Sequence, residues 1–333
     1  MACKRHLLIM AAILQLSLSA NATAPFHAIP VDIPETHSAL NIVHKNRGNS
    51  GGFSAMWMSQ DCTRLVIISD YSQVALDQLD MKIKRSGWYQ AKINFDKNDR
   101  MLGLTVIQQG QLRDTDGTIL SGAAESMEWD GKGFLVSFDG RGDIYRYAGK
   151  SPLEPLLNTT PTIAYAQPNL GKGNSGLEAL TVLHNGKVFA LWEKLKGQTV
   201  AKGLIISKVA ASQAFNYIAL TNPGGATTMV DGSVLIVEKQ WLGIGKGQRL
   251  RLLRIPFEDL DKPVSSFKGQ VLVDNKSLEY DNNEGVSSCT RNSKEFAFII
   301  TDDNGDWPAA VVEGLGKKRQ RSLLLQIDLT QAK

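Results

Sequence analysis

Short apolar runs broken by Gly, Asp or Asn recur along this chain, a pattern that predicts many hairpins and few helices. One arrangement repeats: a Gly-rich start, a small or acidic residue, a short apolar strand, a turn with Gly or Asp, a second apolar strand, then an acid. It reads GGFSAMWMSQDCTRLVIISD over Gly51 to Asp70, AAESMEWDGKGFLVSFD over Ala123 to Asp139 and GLEALTVLHNGKVFALWE over Gly176 to Glu193. It returns as GATTMVDGSVLIVE over Gly225 to Glu238 and NEGVSSCTRNSKEFAFIITDD over Asn283 to Asp303. Two further strand-like runs follow each of the first four copies, such as WYQAKINF and LGLTVIQQ after the first. The fifth copy has only RSLLLQIDL after it, and HSALNIVHKN (His37 to Asn46) is available at the other end of the chain to complete it.

Four strands per unit and five units predict an all-β fold, a five-bladed β-propeller closed by an N-terminal strand. Copies spaced by roughly 50 to 70 residues leave room for a six-bladed alternative, with a degenerate blade within 71–122. A β-sandwich would share the rhythm of strands and turns but would not repeat its sequence. Asp130-Gly131, Asn185-Gly186 and Asp231-Gly232 fall between first and second strands, where a tight hairpin needs positive φ.

Residues 1–24 have a different character. A basic start at Lys4, Arg5 and His6, an apolar stretch from Leu7 to Leu18 and a small-x-small site at Ala22-Thr23-Ala24 read as a secretory signal peptide. The apolar stretch is about a dozen residues, where a membrane span needs about 20. Cleavage after Ala24 would leave residues 25–333 as a single propeller domain, secreted or periplasmic, monomeric and without a membrane span. Cys3 would leave with the signal. Cys62 and Cys289 would remain in a compartment where disulfides persist. Both lie in the turn between first and second strands, on the blades that ring closure makes neighbours, so a Cys62–Cys289 disulfide is expected.

The charge excludes one class of partner. The whole chain of 333 residues carries a formal +4, of which Lys4 and Arg5 supply two, and a nucleic-acid binder advertises itself more strongly than that.

Several segments together resemble the phytase-like family, also described as "esterase-like activity of phytase". They are Ser69-Asp70, Glu125-Ser126-Met127, Gly176-Leu177-Glu178-Ala179-Leu180, Glu238-Lys239, Asp281-Asn282-Asn283-Glu284-Gly285-Val286, Asp302-Asp303-Asn304 and Arg321-Ser322-Leu323-Leu324-Leu325. The chain departs from the family pattern at Ala123-Ala124-Glu125, where an acid usually opens the triplet, and between Asn304 and Arg321, which is longer than usual. The resemblance implies an exported propeller with a phosphoester or carboxylester hydrolase role.

The repeat suggests where chemistry would sit. First strands begin and second strands end on the same rim, because they are antiparallel neighbours. Glu125, Glu178 and Glu284 at strand starts, with Asp70, Asp139, Glu193, Glu238, Asp302 and Asp303 at strand ends, are expected to crowd around one channel mouth. So many carboxylates must protonate, pair with basic groups or bind a hard cation, and calcium suits oxygen-rich sites of loose geometry. Alternatively they staple blade to blade through backbone NH groups and basic neighbours. Glu178 and Glu284, which also match the family, are the candidate metal ligands or catalytic base. Lys194, Lys239 and Arg249 are the candidate cations for substrate. The competing function is a non-catalytic propeller that binds a protein, glycan or cell-envelope ligand.

Other motifs carry less. Gly48-Asn49-Ser50-Gly51-Gly52 fits the serine-hydrolase elbow G-x-S-x-G, but it precedes a strand where the elbow needs a helix, and Gly173-Asn174-Ser175-Gly176 nearly repeats it. His27, His37, His44 and His184 have no zinc spacing, and His184 beside a hairpin turn is expected in solvent. The Gly243 to Arg249 loop lacks the helix of a phosphate loop. Trp57, Trp129 and Trp192 are expected to pack between blades.

Overall fold

The computed structural model describes residues 26–30, 52–69, 86–155, 157–167, 170, 176–209, 211–243, 246–260, 262, 265–277, 282–302 and 323–331. After β1 (Phe26–Pro30), the first blade is β2 (Phe53–Met58), β3 (Arg64–Ser69), β4 (Gly87–Phe95) and β5 (Met101–Gln111). The second is β6 (Ala124–Trp129), β7 (Gly133–Phe138), β8 (Ile144–Ala148) and β9 (Thr162–Tyr165). The third starts with β10 (Ala179–Val182), β11 (Val188–Leu191), β12 (Val200–Ile206) and β13 (Gln213–Ile218). The fourth holds β14 (Asn222–Thr228), β15 (Val234–Trp241) and β16 (Gln248–Ile255). A one-turn helix α1 (Phe257–Leu260) and β17 (Ser266–Phe267) follow, and β17 adds to the edge of β13 before β18 (Gln270–Ser277) completes blade four. The last blade is β19 (Asn282–Arg291), β20 (Lys294–Asp302) and β21 (Leu323–Asp328), with β1 as its outermost strand.

Five sheets in a ring make a five-bladed β-propeller, and residues 87–111, within the span where a sixth blade had room, form the outer strands of blade one. Closure is N-terminal as expected, but by a different segment. Phe26 pairs with Ile327 and Pro30 with Leu323, so the closing strand is Phe26–Pro30, while His37 to Asn46 lies outside the described residues.

The central residues of the second strand of each blade are buried, which explains its apolar run: both faces are covered by neighbouring blades. In β3, Leu65 and Ile67 face Phe298 and Leu324 of blade five, whereas Val66 and Ile68 face Phe134 and Tyr147 of blade two. In β15, Leu235 and Val237 face Ile299 and Leu325 of blade five, and Val234 and Ile236 face Phe189 and Tyr217 of blade three. The core is therefore five apolar seams between blades, the remaining one joining Leu135 to Leu180 and Val188.

The turns repeat as well as the strands. Gly131, Gly186 and Gly232 have φ of 84°, 76° and 85°, and the preceding Asp130, Asn185 and Asp231 each accept a hydrogen bond from the backbone N–H two residues on. Blade one uses the same turn with Asp61, which accepts from Thr63 N at 3.1 Å, and here Cys62 (φ 63°) takes the place of glycine. Cys62 is bonded to Cys289 of blade five, with an S–S distance of 2.08 Å and Cα atoms 5.3 Å apart. The same seam is sewn by Gln326, whose Nε2 donates to Asp99 O at 2.7 Å and whose Oε1 accepts from Met101 N at 3.1 Å.

Candidate active site

The inner strands of blades one, two, four and five each carry a β-bulge at the same place. Pairing skips from Phe53 to Ala55, Ala124 to Ser126, Pro223 to Gly225 and Asn283 to Gly285. The skipped residues are Ser54, Glu125, Gly224 and Glu284, and Glu178 holds the corresponding place just before Ala179 pairs with Leu191 in blade three. A bulged residue leaves the ladder and its side chain is re-aimed, so Glu125 and Glu284, together with Glu178 just ahead of β10, stand at equivalent positions at one end of the ring. Adjacent inner strands meet backbone to backbone there. A Cβ on Gly285 would lie 2.9 Å from both Ala55 Cα and Met56 N, and one on Gly224 would strike the Asn283 carbonyl.

Because Gly224 contributes no side chain, blade four fills its share of the mouth from the next strand. Lys239 of β15 reaches between its neighbours: its Nζ donates to Glu178 Oε2 at 3.3 Å and, more closely, to Glu284 Oε2. The three side chains are 14%, 7% and 8% exposed, so the charges are largely withdrawn from water. Burial opposes the Lys239 charge, but Glu284 first and Glu178 next outweigh it, with a further pull from Glu193, and hold its pKa well above the ordinary lysine value. Glu193 accepts from Asn222 Nδ2 at 3.1 Å. Asn283, just before Glu284, is fully buried, and neither atom of its amide has a hydrogen-bond partner among the described residues.

The expected acids divide. Glu238, next to Lys239, points to the opposite face of the strand. It accepts from Tyr217 Oη at 2.9 Å, Leu220 N at 3.2 Å, Thr221 N at 2.7 Å and Thr221 Oγ1 at 2.9 Å, stapling blade three to blade four. Burial, followed by this carboxylate, pushes the Tyr217 phenol far above its usual pKa. Glu125, Asp139, Glu193 and Asp302 are half-buried. Asp139 N donates to Ala123 O at 2.9 Å and Asp302 pairs with Asn282, so both sit at the bulged end. Asp70 and Asp303 lie outside the described residues, as do Ser50, Ser175, His37 and His44.

Of the candidate cations, Lys239 reaches Glu178 and Glu284. Lys194 is half-buried beside Glu193. Arg249 is held by Asp274, its Nε donating to Oδ1 at 2.6 Å, on the ladder of β16 with β18. Among the described residues no group of three or more His, Cys, Asp or Glu side chains is gathered so as to hold a metal ion. Between Glu178 and Glu284 the cation is the Lys239 ammonium, and two carboxylates around a lysine do not fit calcium, which takes six to eight oxygens.

Trp57 and Trp129 both pack edge-on against Phe134, with centroids 5.7 and 5.2 Å away, and Trp192, just past β11, is fully buried in the seam between blades two and three. His184 is exposed as expected. One ionisable group that no motif marks is Glu128 of β6. Burial pushes its carboxyl up to about 7, although Trp129 N and Thr181 Oγ1 both donate to it and draw it down.

No protein of curated function matches the sequence. Among solved structures, similar folds include the Malassezia sympodialis allergen Mala s 1, at 13% identity, 86% coverage of this chain, 81% of that chain and a TM-score of 0.45. A GH43_1 enzyme from Xanthomonas citri matches at 11% identity, 86% and 91% coverage and a TM-score of 0.45. The periplasmic gluconolactonase of Pseudomonas aeruginosa matches at 12% identity, 87% and 91% coverage and a TM-score of 0.34. The family model described as "Phytase-like: Esterase-like activity of phytase" matches residues 48–305, most of the chain, and the chain therefore belongs to the phytase-like family.

Proposed function

We propose that this propeller is an exported hydrolase of phosphoric or carboxylic esters, acting at the mouth where Glu178, Lys239 and Glu284 meet. The observation that carries the reading is the convergence of two carboxylates and one ammonium, each from a different blade, in a largely buried cluster. The family description supports it.

The division of labour follows from the distances. Glu284 is the closer partner and anchors the lysine; Glu178, at 3.3 Å, keeps lone pairs available. Glu178 takes a proton from water as the water oxygen attacks the ester phosphorus or carbonyl carbon. Lys239 faces the negative charge that develops on the ester oxygen. Collapse breaks the bond to the leaving oxygen, and the proton held by Glu178 passes to that oxygen. No step runs through calcium. The signal-like segment at 1–24 and the Cys62–Cys289 disulfide support a secreted or periplasmic site of action.

The test is turnover of a phosphomonoester, carboxylester and lactone panel by the mature protein and by Glu178→Gln and Glu284→Gln. Loss of at least a hundredfold in kcat for Glu178→Gln, with the unfolding midpoint retained, is expected. Equal turnover in wild type and both variants would overturn the assignment and leave the propeller as a binding module.

A further inference from the structure

Three residues past the bulged positions, about 10 Å along at the rise of a β-strand, the inner strands of blades one, two, four and five carry Trp57, Glu128, Thr227 and Ser287. Their far ends surround a cavity of about 300 Å³, to which every blade contributes: Trp57, Glu128, His184, Thr228 and Ser288 come from blades one to five in turn. That volume lies at the lower limit of small-molecule sites, roughly 300–1,000 Å³, and fits one compact ligand.

The chemistry of the lining is specific. Four of the lining residues carry hydroxyls, Thr227, Thr228, Ser287 and Ser288, beside Gln60, Glu128 and His184, and the described lining residues include no Lys or Arg to pair with a phosphate or carboxylate. Glu128 is fixed before any ligand arrives. Its Oε1 accepts from Trp129 N at 2.8 Å and its Oε2 from Thr181 Oγ1 at 3.1 Å, and Thr181 Oγ1 lies 3.0 Å from Thr228 Oγ1. This relay crosses blades two, three and four, and such preorganisation lowers the cost of ordering on binding. With its carboxyl raised to about 7, Glu128 offers both donor and acceptor near neutrality, matching a sugar hydroxyl, which is also both. The Trp57 indole, braced by Phe134 at 5.7 Å, supplies the flat apolar surface on which the C–H face of a sugar ring packs, and Met58 and Met229 add adaptable apolar walls. Cys289 also lines the cavity, so the disulfide to blade one braces its rim.

We infer that this end of the central channel is a binding site for one small neutral polyhydroxylated molecule of monosaccharide size. The site is independent of the hydrolytic reading, which concerns the opposite end of the inner strands.

The experiment is saturation-transfer NMR on the full mature chain with D-glucose, D-galactose and D-xylose as probes, and with tetramethylammonium and inorganic phosphate as cationic and anionic counterparts. Transfer to at least one sugar is expected. It should weaken at least tenfold in Thr228→Val, which removes only the hydroxyl, and vanish in Ser288→Phe, which fills the cavity. Wild type alone provides a second readout: sugar titration should move the indole N–H resonance that Trp57→Phe removes, and not those of the buried Trp88 and Trp192. The proposal is overturned if no sugar shows transfer, if transfer survives both substitutions, if only tetramethylammonium or phosphate binds, or if the Trp57 resonance stays fixed while a sugar binds.

Discussion

Replacing Glu128 by Gln separates the contribution of one carboxyl from that of the whole fold, because the shape is kept and the titration is removed. In the folded protein burial raises this group from 4.5 to about 7. At about 1.36 kcal/mol per pH unit, that displacement corresponds to about 3 kcal/mol. Below pH 4.5 the carboxyl is protonated in both folded and unfolded chains and contributes nothing. As pH rises, the unfolded chain loses its proton first, so unfolding is increasingly favoured until the folded group also ionises near 7. The stability of wild type relative to Glu128→Gln is therefore expected to fall by about 3 kcal/mol between pH 4.5 and 7.5 and to stay flat above. Urea unfolding of both proteins at several pH values, at fixed ionic strength and with the disulfide intact, measures this. Subtracting one protein from the other cancels the titration of groups too far away to sense Glu128. A difference that stays constant across that range, or that grows in favour of wild type, would refute the burial argument.

Lys239→Met should destabilise the protein by roughly 3–5 kcal/mol, because it leaves Glu178 and Glu284 buried without their cation, and adding Glu178→Gln and Glu284→Gln should recover much of the loss in a denaturant series. Replacing Cys62 and Cys289 together by Ser should cost roughly 2–5 kcal/mol, since the bond spans 227 residues, and a midpoint insensitive to reductant in the wild type would contradict this. Gly285→Ala should cost about 1–3 kcal/mol in the same assay, because the added carbon meets Ile300 Cγ2 at 2.8 Å and also the blade-one backbone at 2.9 Å, which cannot move aside as a side chain can.

The architecture was legible because each blade repeats one local pattern and each turn needs the same backbone. Asp130-Gly131, Asn185-Gly186 and Asp231-Gly232 announce their hairpins by residue type, and ring closure then brings Cys62 to Cys289. The closing strand was not legible: Phe26–Pro30 and His37 to Asn46 are both apolar runs, and only pairing with Leu323–Asp328 distinguishes them. The mouth was partly legible. Equivalent glutamates follow from the repeat, but a bulge has no sequence signature, and neither does the choice of face. Glu238 and Lys239 look like one motif, yet the pleat sends the first into the seam with Tyr217 and the second into the mouth. Glu128 stayed invisible because it is one acid inside an ordinary strand, and its character comes from Thr181, Thr228 and the surrounding blades.

The central claim is that the Glu178–Lys239–Glu284 cluster performs ester hydrolysis. The most direct measurement is the pre-steady-state and steady-state turnover of a single hydrolysed ester by wild type, Glu178→Gln and Lys239→Met, each shown to be folded at the assay temperature. The account predicts that both substitutions lower kcat by at least a hundredfold. Turnover undiminished in either folded variant would contradict it.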